Sequence, residues 1–250
     1  MALVKRESFS RYRGSLLGIL WSLVNPIFLL LIYTFVFGVV FKSRWNGVGD
    51  SKIEFALILY SGLMVFSLFS DSINKAPGLI PSNINYVKKV IFPLEIIPVV
   101  SFGVCMISFL ISFLIWLVSY CIFIGLPPIT IFFFPLVMLP MVLFTMGITW
   151  ILSSLGVYLR DISQFIVMVT SVLFFLSPIF YPISSVPEKY QIYLKINPLT
   201  EVIEMVRSVL IFGVLPNFYN LLIMTVASFF VAFAGFFWFQ KTRSGFADVL

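Results

Sequence analysis

The stretch SPIFYP, Ser177 to Pro182, stands near the end of a run that carries no charged residue from Ile162 to Pro187. Pro178 and Pro182 bracket Phe180 and Tyr181. Each proline deletes a backbone donor and pushes the residue before it out of the helical region, whereas a helix in hydrocarbon must satisfy its own hydrogen bonds. A break at that position therefore needs a physical reason.

The surrounding composition sets the solvent. Hydrophobic residues make up 61% of the chain and charged residues 10%, too little polar surface to hydrate a soluble domain. The chain reads as an all-α integral membrane protein forming one domain over residues 1–250, without a repeat of 20–50 residues. The net charge of +6 does not point to nucleic acid, because the basic residues lie in short clusters between apolar runs rather than along one face. Cys105 and Cys121 on a single helix would be roughly 24 Å apart, beyond bridging distance, and read as packing residues.

Charges mark the ends of the spans, each needing about 20 mostly apolar residues. Gly14 to Phe41 and Phe55 to Ser70 each support one, the second stopping at Asp71. Ile96 to Leu159 is uncharged for 64 residues but interrupted by GLPP at Gly125 to Pro128, which predicts a hairpin of two spans. Ile162 to Tyr181 makes a fifth, and a sixth starts near Tyr219 after the breaker pair Pro216-Asn217. The basic start MALVKRESFSRYRGS precedes an apolar run too long for a signal peptide, so the first span is expected to be retained.

Six spans place both termini on one side. Of the 16 Lys and Arg residues, ten fall there (Lys5, Arg6, Arg11, Arg13, Lys75, Lys88, Lys89, Arg160, Lys241, Arg243) and six on the other, which predicts cytoplasmic termini. The spans carry almost no ionisable group and the chain has no histidine, so an ion-driven cycle lacks residues to run on. No His, Cys, Asp or Glu cluster has metal-ligand spacing, and no G-x-x-x-x-G-K-[ST] loop is present to cradle ATP. Uphill transport would draw its energy from a partner.

The longest connection on the terminal side is NKAPGLIPSNINYVKKVIFPLEIIP, Asn74 to Pro98. Its centre, Asn83 to Phe92, predicts a short amphipathic helix with Ile84, Val87 and Ile91 on one stripe and Pro93 as its stop. It reads either as a solvated positive-inside loop or as a docking element for a soluble motor.

The segments YRGSLLGILWSLVNPI, VKKVIFPLEIIP, YLRDI and SPIFYPISSVPEKYQIYLKINPLTEVIEMVRSVL occur in one order along the chain. In these the sequence resembles the polysaccharide-export branch of the ABC-2 permeases, the membrane subunits that export O-antigen, capsule and teichoic-acid chains. The resemblance runs from about Arg11 to the C-terminus. It implies a homodimer of six-helix subunits in the bacterial cytoplasmic membrane, each docked on a separate ABC ATPase subunit that binds ATP and Mg, with a lipid-linked polysaccharide as cargo and no cofactor in this chain. It implies a coupling helix at Asn83 to Phe92, with Asn83, Tyr86, Lys88, Lys89 and Phe92 as its candidate residues. It also implies a re-entrant helical pair between spans five and six.

Within that frame Arg11, Tyr12 and Arg13 are candidates for an N-terminal interfacial helix on an anionic leaflet, although a basic tail that only sets orientation fits the same residues. Arg160 and Asp161, in the turn between spans four and five, are candidates for contact with the ATPase or the coupling helix. A local ion pair of little weight is the competing reading.

Beyond SPIFYP, Pro187 and Pro198 each open a predicted short helix, Pro187 to Lys195 and Pro198 to Ile211, with Asn197 as a cap and Gly213 as a stop. In the second, Leu199, Val202, Ile203, Val206 and Leu210 form an apolar face, while Glu201, Glu204, Arg207 and Ser208 are expected to face an interface or a wet cavity. Phe180 and Tyr181 are candidates for the mouth of a conduit, with Trp21 and Tyr33 on the first span as further path residues. Aromatic faces stack on the C–H faces of sugars without fixed hydrogen-bond geometry, so a polymer can slip past. Enrichment of aromatics at membrane interfaces accounts for the same residues without a conduit. The functional reading is the permease of an ATP-driven polysaccharide exporter. Its alternatives are an ABC-2 permease for a lipid, drug or haem, and a polyprenyl-phosphate sugar transferase, for which the acids are too scattered.

Overall fold

The structure is a computed structural model that describes residues 4, 21–33, 35–36, 52–88 and 92–250. Among these residues the regular structure is helical: α1 Trp21–Tyr33, α2 Lys52–Lys75, α3 Ile84–Lys88, α4 Ile96–Phe123, α5 Phe134–Tyr158, α6 Ile162–Leu176, α7 Glu188–Ile196, α8 Pro198–Arg207, α9 Phe218–Thr242 and α10 Phe246–Val249. Four of the described stretches are long and apolar enough to cross a bilayer: Ile53–Gly78, Ile96–Phe123, Ile129–Tyr158 and Phe218–Val249. The predicted N-terminal interfacial helix, with Arg11, Tyr12 and Arg13, lies outside the described residues. So does much of the predicted first span, of which α1 covers 13 residues.

The second span is longer than charge alone predicts. The sequence reading stops it at Asp71, but α2 continues to Lys75, with Ala76–Gly78 adding a 3-10 turn that starts at the Pro77 step. Asp71 is exposed on the helix surface. A charge marks where side chains meet water, whereas the helix ends only where the hydrogen-bond ladder meets a proline.

α2 is the spine of the bundle. It is buried over most of its length and packs against α1, α4, α5, α6 and α8. From α4 the fully buried Trp116 donates its indole N–H to the Leu57 carbonyl at 3.0 Å, and from α6 Thr170 donates to the Asn74 side-chain oxygen at 3.0 Å. A buried indole or hydroxyl in apolar surroundings must find such a partner, so these bonds fix the register of neighbouring helices.

The GLPP stretch breaks the chain as predicted: α4 ends at Phe123, Gly125 takes φ 124° and a 3-10 turn from Ile129 leads into α5. α5 pairs with α9 through glycine. A Cβ on Gly235 would fall on the Gly147 backbone, and a Cβ on Gly147 would meet the Val231 carbonyl oxygen at 2.6 Å. Small residues at a crossing let backbones touch, and van der Waals packing is the main force available between helices in lipid. α9 starts at Phe218, one residue before the predicted Tyr219, because the Asn217 side chain accepts from the Tyr219 and Asn220 amides and caps it.

Gly235→Ala should force α5 and α9 apart at a cost of about 1–3 kcal/mol, lowering the melting temperature in detergent by roughly 2–10 °C. Gly78→Ala, whose added Cβ meets nothing within 4 Å, should leave it unchanged. Thermal unfolding of the two variants checks the pair.

Candidate functional site

α6 stops at Leu176, 15 residues from its start and about 22 Å long, short of the ~30 Å hydrocarbon thickness. The predicted fifth span to Tyr181 is shortened because Pro178 has no amide to continue the ladder. Beyond the break, from Ser177 to Pro182, the chain is not helical, and Pro182 has no amide for the Pro178 carbonyl, so the carbonyls of Pro178 and Ile179 are left without helical partners inside the protein, where both residues are buried.

Arg207, at the end of α8, satisfies them. One terminal nitrogen, Nη1, donates to the Pro178 carbonyl at 2.5 Å and to Glu204 at 3.0 Å, while Nη2 donates to the Ile179 carbonyl at 2.7 Å. Nε makes a longer contact of 3.4 Å to the Ile58 carbonyl of α2. The guanidinium is completely buried, and Gly62 leaves it room, since a Cβ there would stand 2.9 Å from Nη2. Burial pulls the guanidinium down to about 10 while Glu204 opposes the shift, so Arg207 remains cationic at neutral pH. Burial likewise pushes the Glu204 carboxyl up, against the pull of Arg207.

This corrects one part of the sequence reading. Glu204 and Arg207 do pair at i, i+3, but Arg207 turns into the core rather than toward an interface or a wet cavity. The reason is demand for donors: a guanidinium offers five N–H groups in a planar fork, which suits several loose carbonyls at once. The signal was present in the sequence as prolines that release carbonyls, followed by a lone cation on an apolar helix.

The rest of the segment is tied down by shorter links. Asn197 donates to the Ser177 hydroxyl at 3.1 Å and caps α8 by accepting from the Leu199 amide at 3.1 Å, as predicted. The predicted apolar residues of the Pro198 to Ile211 segment, Leu199, Val202, Ile203, Val206 and Leu210, are all buried. The predicted helix Pro198 to Ile211 is α8 followed by a π turn, Ser208–Phe212, and Gly213 ends it at φ 65°. α7 begins at Glu188, with the predicted Pro187 as its cap residue.

Of the candidate path residues, the structure brings two together. The rings of Tyr33 and Phe180 lie 5.7 Å apart, and a row continues from Phe180 to Phe174 at 5.1 Å and from Phe174 to Phe66 at 5.1 Å. Tyr181 points elsewhere, donating its hydroxyl to the Phe175 carbonyl at 3.1 Å. Trp21 opens α1 about 18 Å from Tyr33, and its side chain lies outside the described residues. Beside the aromatic row a cavity of about 510 Å³ runs between α1, α2, α4 and α6, lined among others by Tyr33, Tyr60, Phe66, Ser108, Ser112 and Phe174.

The opposite end of the bundle carries the candidate docking residues. The predicted helix from Asn83 to Phe92 is a 3-10 turn, Pro81–Asn83, running into α3; Lys89 lies outside the described residues. Asn83 donates to the Leu79 carbonyl at 2.8 Å, and the Tyr86 and Phe92 rings lie 5.0 Å apart. Lys88 is exposed. Val87 packs against Ile80, Val157, Phe239 and Phe246, whereas Ile84, expected on the same stripe, is exposed.

Arg160 and Asp161 are exposed in the turn from α5 to α6, and among the described residues they form no ion pair with each other. The turn comes close to the docking region, since Gly156 abuts the Pro77 backbone. Sequence reasoning missed the C-terminal segment. Phe246 is fully buried under this end, and Arg243 pairs with Glu95 at 3.0 Å.

Arg207→Met should strip donors from two buried carbonyls and leave Glu204 without its partner, a loss of about 3–5 kcal/mol. Amide exchange at Ile179 and Phe180 should then accelerate by roughly 100-fold or more. Arg207→Lys should recover only part of that protection, because an ammonium cannot fork across the same carbonyls.

A profile for the ABC-2 type transporter family matches residues 1–211. The chain is 28% identical over 255 residues to the O-antigen export system permease protein RfbA of Klebsiella pneumoniae, covering 96% of this chain and 90% of that protein. It is 27% identical over 252 residues to the RfbA permease of Myxococcus xanthus, covering 99% and 94%. To the polysialic acid transport protein KpsM of Escherichia coli it is 25% identical over 215 residues, 85% of this chain and 81% of that protein. An apolar helical bundle with a latched helix break at one end and an exposed basic turn at the other thus coincides with a match over most of its length: the chain belongs to the ABC-2 type transporter family.

Proposed function

We propose that this chain is the membrane-spanning permease subunit of an ATP-driven exporter that moves a lipid-linked polysaccharide across the cytoplasmic membrane. The observation that carries the reading is the extent of likeness to the O-antigen export permeases. It spans 96–99% of the chain and so includes the latched break, the aromatic row and the docking end together. The chain is a transporter subunit and not an enzyme, and ATP hydrolysis belongs to a separate subunit.

In this reading the protein has six spans with both termini cytoplasmic. The Pro81–Asn83 turn and α3 form the coupling element that meets the ATPase, with Lys88 and Phe92 at its surface. Two facts support that assignment: Lys88 is exposed, and Val87 is anchored on the bundle, so a push on the element is passed to packed side chains. α7 and α8 form a re-entrant pair at the outer face, each too short to span at 9 and 10 residues. Two copies assemble with two ATPase subunits, and α1 and α6 line the passage. The row Tyr33, Phe180, Phe174 and Phe66 offers a polymer apolar faces without charges to hold it.

The test is co-reconstitution with the ATPase. Lipid-linked glycan should stimulate ATP turnover more strongly than the bare lipid carrier, and the response should vary with glycan length. Equal stimulation by the bare carrier would overturn the polysaccharide assignment in favour of a lipid exporter. Lys88→Glu should lower the stimulated rate roughly five- to tenfold through charge reversal at the docking rim, with the melting temperature of the isolated permease unchanged.

A further inference from the structure

The cavity between α1, α2, α4 and α6 has a mixed lining of hydroxyls and rings. On α2 and α4 it presents hydroxyls: Tyr60 and Ser67 from one helix, Ser108 and Ser112 from the other. Rings line the same cavity, Phe28 of α1, Phe66 of α2, Phe109 of α4 and Phe174 of α6. Hydroxyls that line a cavity at this depth keep acceptor lone pairs for a polar ligand.

The state of those hydroxyls defines what would meet them. Ser108 donates to the Val104 carbonyl at 3.4 Å and Ser112 to the Ser108 carbonyl at 3.1 Å. Each spends its proton on its own helix and keeps its oxygen lone pairs as acceptors. Tyr60 is 3% exposed and its buried hydroxyl lies beside Ser112, forming no well-aligned hydrogen bond among the described residues. A ligand that meets this lining brings hydroxyl donors together with apolar surface.

Charge narrows the class further. Among the described lining residues only Asp71 is charged, and it is an acid, so the lining itself offers a phosphate or pyrophosphate headgroup no cation. A plain hydrocarbon tail would leave the hydroxyls unmet. The volume of about 510 Å³ lies within the ~300–1,000 Å³ range of small-molecule sites.

We infer that this cavity is a saccharide-binding subsite within one protomer, taking a neutral sugar unit with its hydroxyls on Tyr60, Ser108 and Ser112 and its C–H face on the Phe28 and Phe174 rings. It rests on the reading of the chain as a polysaccharide permease and adds to the passage walls α2 and α4, which the aromatic row does not require. The subsite holds the glycan by exchangeable hydroxyl contacts, which suits a polymer that must be released at each step.

The permease–ATPase complex in nanodiscs, photolabelled with a dodecyl glucoside bearing a diazirine on the sugar, tests this. A dodecyl polyether with the same diazirine serves as the control, and labelled peptides are mapped by mass spectrometry. The glucoside should concentrate on residues 60–71 and 105–112, at least about fivefold above the polyether. Ser112→Ala and Tyr60→Phe, examined separately, should each cut that labelling about fivefold, the scale of one hydrogen bond, while the ATPase still co-purifies. Ser108→Ala replaces either variant if it fails to assemble.

Equal labelling by the two probes, glucoside label concentrated elsewhere, or labelling unchanged in the variants would overturn the inference. Labelling requires no transport. A complex that binds the sugar here yet exports no glycan would refute the proposed function and leave the subsite standing, and the converse result would do the reverse.

Discussion

The Arg207 guanidinium, sealed between α8, α2 and the end of α6, is what permits the chain to interrupt a helix inside an apolar bundle. Hydrocarbon offers no water to meet a released carbonyl, so a break at depth survives only if the protein supplies donors. A cation is a costly donor to bury, and its charge is matched here by Glu204 and by oriented carbonyl dipoles. The arrangement locks three elements together: α2 through Ile58, α8 through its own terminal turn, and the 177–182 segment through Pro178 and Ile179. The aromatic row is aimed by the same lock, because Phe180 follows directly on Ile179 and reaches Tyr33 from there.

α2 joins this latch to the other end of the molecule. It contributes the Ile58 carbonyl to Arg207 and, 16 residues later and about 24 Å away, the Asn74 side chain to Thr170 of α6. Immediately beyond, Pro77 presses on Gly156 of α5, and the chain enters the Pro81–Asn83 turn. A displacement at that turn therefore acts on a helix that is packed on most sides and that ends its other half against the latch. The glycine-matched pair of α5 and α9 stands beside it as a unit, pinned at the end near Pro77 by Tyr158 donating to the Thr242 carbonyl at 3.0 Å.

Much of this was legible in the sequence, because hydrocarbon enforces simple rules on a chain. Proline and glycine at Gly125 to Pro128, Pro187, Pro198 and Gly213 punctuate the backbone where the structure does, and Asn197 caps the helix it precedes. The errors have a common physical origin. Asp71 does not end its helix and Arg207 is not a wetted charge, because a sequence shows where charges are but not which buried carbonyls need them. The burial of Phe246 and its packing with Val87 are long-range contacts that no local pattern announces. The hydroxyl stripe shared by α2 and α4 likewise appears only when the two helices are set side by side.

The chain is thus an ABC-2 type transporter with an apolar bundle, latched at one end by Arg207 and exposing Lys88 at the other. Its account of function stands on mechanical drive from a separate ATPase. The most direct measurement is glycan flux in proteoliposomes carrying the chain with its ATPase, with the ion gradients collapsed by an ionophore. The account predicts that flux continues as long as ATP is supplied and stops when the ATPase is omitted. Flux that persists without the ATPase and vanishes with the proton gradient would contradict it.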